Sequence, residues 1–558
     1  MEELIAKVEG YIHQGRYIEA RARAEEGLKE QPHLRLQQLL ALAMSKSGVP
    51  EEAREFLEPI YKTQAEDPET AGILASIYKE LFRKHQDTTF AMLSRDTYLK
   101  NFEATRSYYT GINAASMSAI VMQASKSKKI ARDVVSLLDA QTEDFWELAT
   151  LGEAYLLLKE KEQSLQCFAK ARKVGASDWG KITSVHNQLW LLNHFIPVSG
   201  EVQNLFSPPS VVAFIGHMID HPQSKNARFP PIIEKNVKDA IANSLRTLNA
   251  KVGYCSLACG SDILFAEALA EQNGEVNIFV PFAMEDFLNV SVRFAGEEWA
   301  ARFQALADRF RITMLTKEDY GGYNDLFTLQ SKIIFGASMI RSAQYHTQPH
   351  LLTVLSGVDL KRAEGGTRDT LRFWPTGLSH VNINPDLFLP THSVAEVAPS
   401  QQPSSPKINR PVLYLILAET SHLNSLQQDK INQLLKQRVE EEPDSYSSLE
   451  IGENILVACN TETTMIETVK LLKGFLQTAR GLKITLHAGP AFREGGFVKG
   501  ETVEILKALC TYSPRGSISA SGHVAALLAL DAQNFLIEYS GIFTHHETRH
   551  FVFRIEWK

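Results

Sequence analysis

The chain has 558 residues, more than one hydrophobic core supports, so three domains, or at most four, are expected. Its 44% hydrophobic and 22% charged residues exclude wholesale disorder. A net charge of −7 argues against general nucleic-acid binding, which needs a basic face to neutralise phosphates.

The opening MEELIAKVEG is acidic and amphipathic, without the basic flank and apolar run of a signal peptide. No uninterrupted apolar stretch of about 18 residues follows, so a cytoplasmic chain without a membrane span is expected. Residues 1–200 read as helix after helix. Gly15-Arg-Tyr-Ile-Glu-Ala20 with Pro32 downstream is echoed by Gly48-Val-Pro-Glu-Glu-Ala53 with Pro68 downstream, both offset by 33 residues. The small residue lets two helices approach, the glycine opens the turn between them, and the proline stops the second helix. A looser third instance is Leu151-Gly152-Glu153-Ala154-Tyr155 followed by Lys161, Leu165, Phe168 and Ala171. These units resemble tetratricopeptide repeats, whose period is ~34 residues. Arg106-Ser-Tyr-Tyr-Thr-Gly-Ile-Asn-Ala-Ala115 with Asp144-Phe-Trp146 resembles the central regulatory region of apoptosis-signal-regulating kinases. Both resemblances imply a face for a protein partner.

From Phe206-Ser-Pro-Pro209 the pattern changes to alternating strands and helices, setting a second domain at 208–390. Val211–Ile215 is a continuous apolar run, as in a strand buried on both faces. Further strands are expected at 251–255, 276–280, 311–315 and 351–355, with helices at 232–248, 262–272 and 327–342. That order predicts a doubly wound parallel sheet. Glycine-bearing turns follow three strands: Gly216-His217, Ala258-Cys-Gly260-Ser261-Asp262, and Glu364-Gly365-Gly366-Thr367-Arg368. Glycine allows close backbone approach, and a helix start offers free N–H groups, which together suit a phosphate. No Gly-Lys-Ser/Thr triplet makes a P-loop. Leu257–Glu267 and Gly365-Gly366-Thr367 resemble the loops of the SLOG superfamily of Rossmann-like nucleotide-ligand domains, which includes the cytokinin-activating LOG enzymes. The resemblance implies a small nucleotide-derived ligand held by Gly216, His217, Gly260, Ser261, Asp262, Gly365, Gly366 and Thr367. In catalytic members a glutamate assists N-glycosidic cleavage, and Glu267 and Asp369 are the candidates for that role. A dipole-complementing helix-start residue is an equal reading of Asp262, and a structural histidine an equal reading of His217.

Residues 391–410, rich in Pro, Ser and Gln, read as a linker. A third domain follows at 411–558. Val412–Glu419, Ile451–Val457, Ile484–Pro490, Lys499–Val503 and Arg515–Ser521 resemble, in order and spacing, the class III adenylate/guanylate cyclases. In that family two aspartates hold divalent metals; their counterparts here are Glu419 and Glu453. Glutamate moves the charge by about 1.5 Å, a displacement that can cost ~10²-fold in rate, so metal binding there is doubtful. The family's base-selecting lysine and aspartate fall on Leu449 and Phe497, which cannot hydrogen-bond a purine edge. Its ribose-steadying asparagine and transition-state arginine fall on Glu504 and Ala508. His545, His546 and His550 read as a solvated turn, because no carboxylate or cysteine is spaced to complete a metal site.

The five cysteines, Cys167, Cys255, Cys259, Cys459 and Cys510, form no disulfide framework. Cys255 and Cys259 lack a second Cys/His pair nearby and read as packed thiols. The expected fold class is a multidomain chain: an α-solenoid of tetratricopeptide type, a doubly wound parallel α/β domain, and an α+β, ferredoxin-like cyclase domain. The expected function is a non-catalytic signalling adaptor whose cyclase-like domain dimerises or regulates, in a homo- or heterodimer. Two alternatives stand beside it: a nucleotide-processing enzyme in the middle domain, and the metal-bearing half of a heterodimeric cyclase.

Overall fold

The computed structural model describes every residue except 14–16, 48, 64–66, 140, 176–178, 222–227, 346, 358–369, 391–411, 495–496 and 532. The chain divides into two compact units, Met1–Pro208 with Tyr539–Phe543, and Pro209–Glu538 with Thr544–Lys558.

The first unit is built from helices in hairpins: α1 (Glu2–His13) with α2 (Tyr17–Glu30), α3 (Leu34–Lys46) with α4 (Pro50–Thr63), and α5 (Pro68–His85) with α6 (Thr88–Thr105). α7 (Tyr108–Ile120) with α8 (Ala124–Val135) and α9 (Phe145–Leu158) with α10 (Lys161–Val174) continue the series, and α11 (Trp179–Asn193) and α12 (Gly200–Leu205) close it. In each of the five hairpins the fourth residue of the second helix is small and buried: Ala20, Ala53, Ala91, Ser127 and Ser164. That position is where the paired helices touch. The later hairpins use serine there, and Ser164 Oγ donates to the Gly152 carbonyl at 2.8 Å. The repeat fades from view between residues 86 and 140, although the architecture persists, because Gln86 stands where the first two units have glycine and Ser127 where they have alanine. Helix ends follow local chemistry. Asp67, Asp87 and Asp144 cap α5, α6 and α9 through their side chains. Gln86, Arg106 and Lys159, in the left-handed region, terminate the same three helices.

The second unit holds two sheets. The first has six parallel strands: β1 (Ser210–Gly216), β2 (Ala250–Cys255), β3 (Glu275–Val280), β4 (Ile312–Met314), β5 (His350–Val354) and β6 (Ser379–Ile383), in the order β4-β3-β2-β1-β5-β6. β6 was not foreseen: Ser-His-Val-Asn-Ile is too polar to announce a strand, and it places one more strand after β5. One face is covered by α13 (Glu234–Thr247), α14 (Ser261–Glu271), α15 (Met284–Ser291) and α16 (Glu297–Arg309), around Phe214, Phe265 and Phe303. Cys255 and Cys259 are fully buried there, and burial pushes their thiols up, that of Cys259 to about 12. The other face is covered by α17 (Asp325–Gln344) and Trp374.

The second sheet is mixed, in the order β13-β14-β12-β10-β7-β9-β8, with β11 pairing β10. Its strands are β7 (Val412–Glu419), β8 (Tyr446–Ile451), β9 (Asn454–Cys459), β10 (Lys483–Glu494), β11 (Phe497–Lys499), β12 (Ser517–Ser521), β13 (Phe535–His545) and β14 (Thr548–Trp557). Its helices are α18 (Ser425–Glu441), α19 (Glu462–Leu476), α20 (Glu501–Tyr512) and α21 (Gly522–Ala529). α21 reads Gly-His-Val-Ala-Ala-Leu-Leu-Ala and is buried from Val524 onward. A helix apolar all round must be covered all round. α21 packs on its own sheet and also on α17 of the first sheet. At the crossing a Cβ on Gly336 would stand 1.7 Å from the Ala526 carbonyl oxygen, so only glycine fits. Lys332 on α17 also pairs with Glu462 at the start of α19.

Among the described residues no helix is long and apolar enough to cross a membrane.

Candidate functional site

In the parallel sheet, β2 to β4 run out on one side of β1 and β5 and β6 on the other. The direction of winding therefore switches between β1 and β5, and ligands of such sheets bind outside the carboxyl ends at that switch. Gly216 and His217 lie at the end of β1, and Ser356 and Gly357 after β5. His217 joins the two walls: its N–H donates to the Val354 carbonyl at 3.0 Å, and its Nε2 accepts the Ser356 N–H at 3.1 Å. Gly216 has no room for a side chain, since a Cβ would lie 2.3 Å from Ser261 Oγ.

The start of α14 meets the same loop. Residues 217–219 lie against it, with an isolated bridge between Met218 and Gly260 and the Ile219 N–H donating to the Cys259 carbonyl at 3.2 Å. Gly260 has φ of +98°, and a Cβ there would fall 2.3 Å from the Ile219 nitrogen. Ser261 gives both its donors to the His217 carbonyl, N–H at 3.1 Å and Oγ at 2.7 Å. Asp262 Oδ2 accepts the Ala258 N–H at 3.3 Å. Burial pushes the Asp262 carboxyl up to about 7, against that hydrogen bond. The structure thus gathers Gly216, His217, Gly260, Ser261 and Asp262 into one knot. Several of the donors that sequence reasoning offered to a phosphate are spent inside it.

Gly365, Gly366, Thr367 and Asp369 lie outside the described residues. Glu267, on the second turn of α14, takes a forked pair of bonds from Arg302 Nε and Nη2 at 2.7 and 2.8 Å, and Lys238 Nζ lies 3.1 Å away. Burial raises its pKa, but the two cations outweigh burial and hold it below the usual carboxylate range. It ties α14 to α13 and α16, the work of a structural ion pair; a general acid or base needs a proton it can exchange.

In the mixed sheet Glu419 ends β7 and Lys483 begins β10, and the antiparallel register sets them directly opposite. Lys483 Nζ stands 3.0 Å from Glu419 Oε2, with both side chains largely buried. Cys510 Sγ donates to the same oxygen at 3.4 Å, while Ser421 Oγ and His422 Nε2 stand 3.2 and 3.4 Å from Oε1. Burial raises the Glu419 pKa, and the Lys483 hydrogen bond and charge overcome it, leaving the carboxyl depressed. Glu453 sits exposed in the β8–β9 turn. A divalent cation at Glu419 would meet the Lys483 ammonium, so the residues present do not fit the paired-carboxylate metal site that the sequence resemblance implies. Of the four replaced positions, Leu449 lies in β8, Phe497 opens β11 and is 58% exposed, and Glu504 and Ala508 are on α20.

The sequence motif at Gly500-Glu501 has a different use. Glu501 Oε2 accepts the Lys317 N–H at 2.7 Å and Thr316 Oγ1 at 3.3 Å, and the Glu501 N–H returns a bond to Glu318 Oε1 at 3.4 Å. The Ala283 N–H donates to the Glu318 carbonyl at 3.0 Å, so the loop after β4 is tied to the end of β3. Neither Lys483 nor this contact was visible in the sequence, because each depends on a register or a docking that spans many residues.

Residues 16–118 match the family described as Tetratricopeptide Repeats-Sensor. No curated protein matches the chain at a significant level. Among solved structures, a thermophilic tetratricopeptide protein of Thermus thermophilus is similar at 17% identity and a TM-score of 0.29, covering 34% of this chain and 98% of that one. The pilF protein of Pseudomonas aeruginosa is similar at 13% identity and a TM-score of 0.27, covering 36% and 95%. The catalytic core of a rhodopsin-guanylyl cyclase with converted specificity, in complex with ATPalphaS, is similar at 9% identity and a TM-score of 0.22, covering 27% and 99%.

Proposed function

We propose that this chain is a non-catalytic signalling adaptor. Its repeats engage a protein partner, its parallel-sheet domain senses a small nucleotide-derived ligand, and its cyclase-like domain receives that signal and regulates or dimerises. The observation that carries the non-catalytic reading is the Lys483 ammonium seated on Glu419. A carboxylate neutralised by its own chain has lost the reason to recruit a cation, and Leu449, Phe497 and Ala508 leave the purine and the transition-state phosphate without partners. The sensing reading is supported by the switch of winding between β1 and β5, where the loops that carry His217 and Ser356 meet. The relay reading is supported by the Glu501 bonds to the loop at 316–318, which follows β4 of the same sheet.

The test is incubation of purified chain with ATP or GTP and magnesium or manganese. No cyclic nucleotide is expected from the wild type, nor from Lys483→Ala, since that change frees one carboxylate and restores none of the other groups. Cyclic product from the wild-type chain sinks the non-catalytic reading. Thermal unfolding with a panel of nucleotides tests the sensor: a ligand at ~100 times its Kd adds about 2.7 kcal/mol, and a flat response across the panel removes that part.

A further inference from the structure

β13 ends at His545 and β14 begins at Thr548, so His546 and Glu547 alone make the hairpin turn. Both have positive φ, 43° and 64°. Two-residue hairpin turns require that conformation and ordinarily fill it with Asn-Gly or a similar pair. A histidine followed by a glutamate strains the turn without helping it. The conformation does achieve one thing. Successive residues of a strand point to opposite faces, yet here two successive imidazoles converge, with ring centroids 4.2 Å apart.

A third group completes the cluster. Glu504, exposed in the first turn of α20, reaches the hairpin tip, and one ligand atom each from Glu504, His545 and His546 lie within 4.8 Å of one another. His545 Nε2 is buried and makes no hydrogen bond. A buried ring nitrogen left without a partner is unfavourable and calls for something to fill its place. The carboxylate that the histidine run lacked in sequence is supplied from forty residues upstream by the fold.

We propose that Glu504, His545 and His546 form a binding site for a divalent transition metal of the zinc class. Two imidazole nitrogens and one carboxylate oxygen match the open, three-ligand zinc arrangement, with the fourth position left to water. Imidazole disfavours magnesium and calcium, which take oxygen ligands. The site is separate from Glu419 and Glu453, and it does not rest on the sensor reading. Its ligands join the hairpin tip to α20, the helix whose Glu501 holds the 316–318 loop, so bound metal braces that helix.

The test uses the full-length chain, stripped with chelator and titrated calorimetrically with zinc, with magnesium as the control. Binding of one zinc per chain is expected, with no heat from magnesium. Cobalt(II) in its place is expected to give the visible bands of a tetrahedral N/O site. Glu504→Gln and His546→Ala, both at exposed positions, are each expected to weaken zinc binding by about tenfold or more and to abolish the cobalt bands while circular dichroism is unchanged. His545→Ala serves as a third variant. Failure of the wild-type chain to take up zinc, or binding that survives these substitutions intact, overturns the proposal.

Discussion

Glu501 Oε2 accepts the backbone N–H of Lys317 at 2.7 Å, and the Glu501 N–H donates to Glu318 Oε1 at 3.4 Å, so the start of α20 and the loop after β4 each lend a carboxylate to the other's backbone. The arrangement lets a displacement of the loop after β4 be felt at the first turn of α20. Replacing Glu501 by alanine removes charge-assisted bonds worth roughly 1.5–3 kcal/mol where desolvated; this side chain is 22% exposed. The expected loss, measured by urea denaturation, is therefore about 1 kcal/mol. Any ligand that stabilises the parallel-sheet domain should then protect α20 less from hydrogen exchange than it does in the wild type.

Gly336→Ala places a methyl group within 1.7 Å of the Ala526 carbonyl oxygen. Backbone on both sides cannot give way as a side chain can, so α17 and α21 must separate. Overpacking costs about 1–3 kcal/mol in ordinary cores, and the upper end is expected here. Calorimetry should show a lowered unfolding midpoint. An unchanged midpoint would mean that the two helices do not pack as closely as described.

Asp262 supplies a pH test. Its carboxyl is raised from 3.8 to about 7 by burial. A group with a raised folded pKa favours folding fully below its unfolded pKa and loses that contribution as pH rises through the folded one. Asp262→Asn keeps a carbonyl oxygen for the Ala258 N–H and carries no charge. Its stability relative to wild type should be flat below pH 4, climb between about 4 and 7, and level off above. A relative stability independent of pH contradicts the buried-acid assignment.

His550 titrates in the opposite sense. Burial, then the neighbouring His523, His545, Arg311 and Lys317, lower its pKa from 6.5 to about 3. The unfolded chain therefore takes up a proton that the folded chain refuses. Stability is retained above pH 6.5 and lost as pH falls towards 3, at up to about 1.4 kcal/mol per pH unit for one histidine. His487 is fully buried and lowered by the same cause, with His523 and His550 adding to it, so it steepens the slope. His550→Gln should flatten the acid limb of a stability–pH curve by about one proton.

Much of the architecture was legible because its signals are local. The apolar run Val211–Ile215 forms β1, five of the six parallel strands fall where strands were expected, and the Ala20 and Ala53 positions mark helix contacts. What escaped depends on distant parts of the chain. Ser127 and Ser164 stand where alanine was sought, and β6 is recruited by the edge of β5 despite its polar sequence. Lys483 meets Glu419 only through an antiparallel register across some sixty residues, and Glu504 meets His545 only through the hairpin. Of the three glycine turns, those at Gly216 and Gly260 sit at close approaches. The partner of Gly260 in the structure is the chain's own Ile219.

The double wrapping of α21 bears on how the protein can be handled. Cutting at the Ser/Pro-rich stretch near residue 400 looks safe from composition alone. It would peel α17 away and leave Val524–Ala529 greased on the outside. Such a fragment should clump or recruit detergent, and co-expression with residues 209–390 should rescue its solubility.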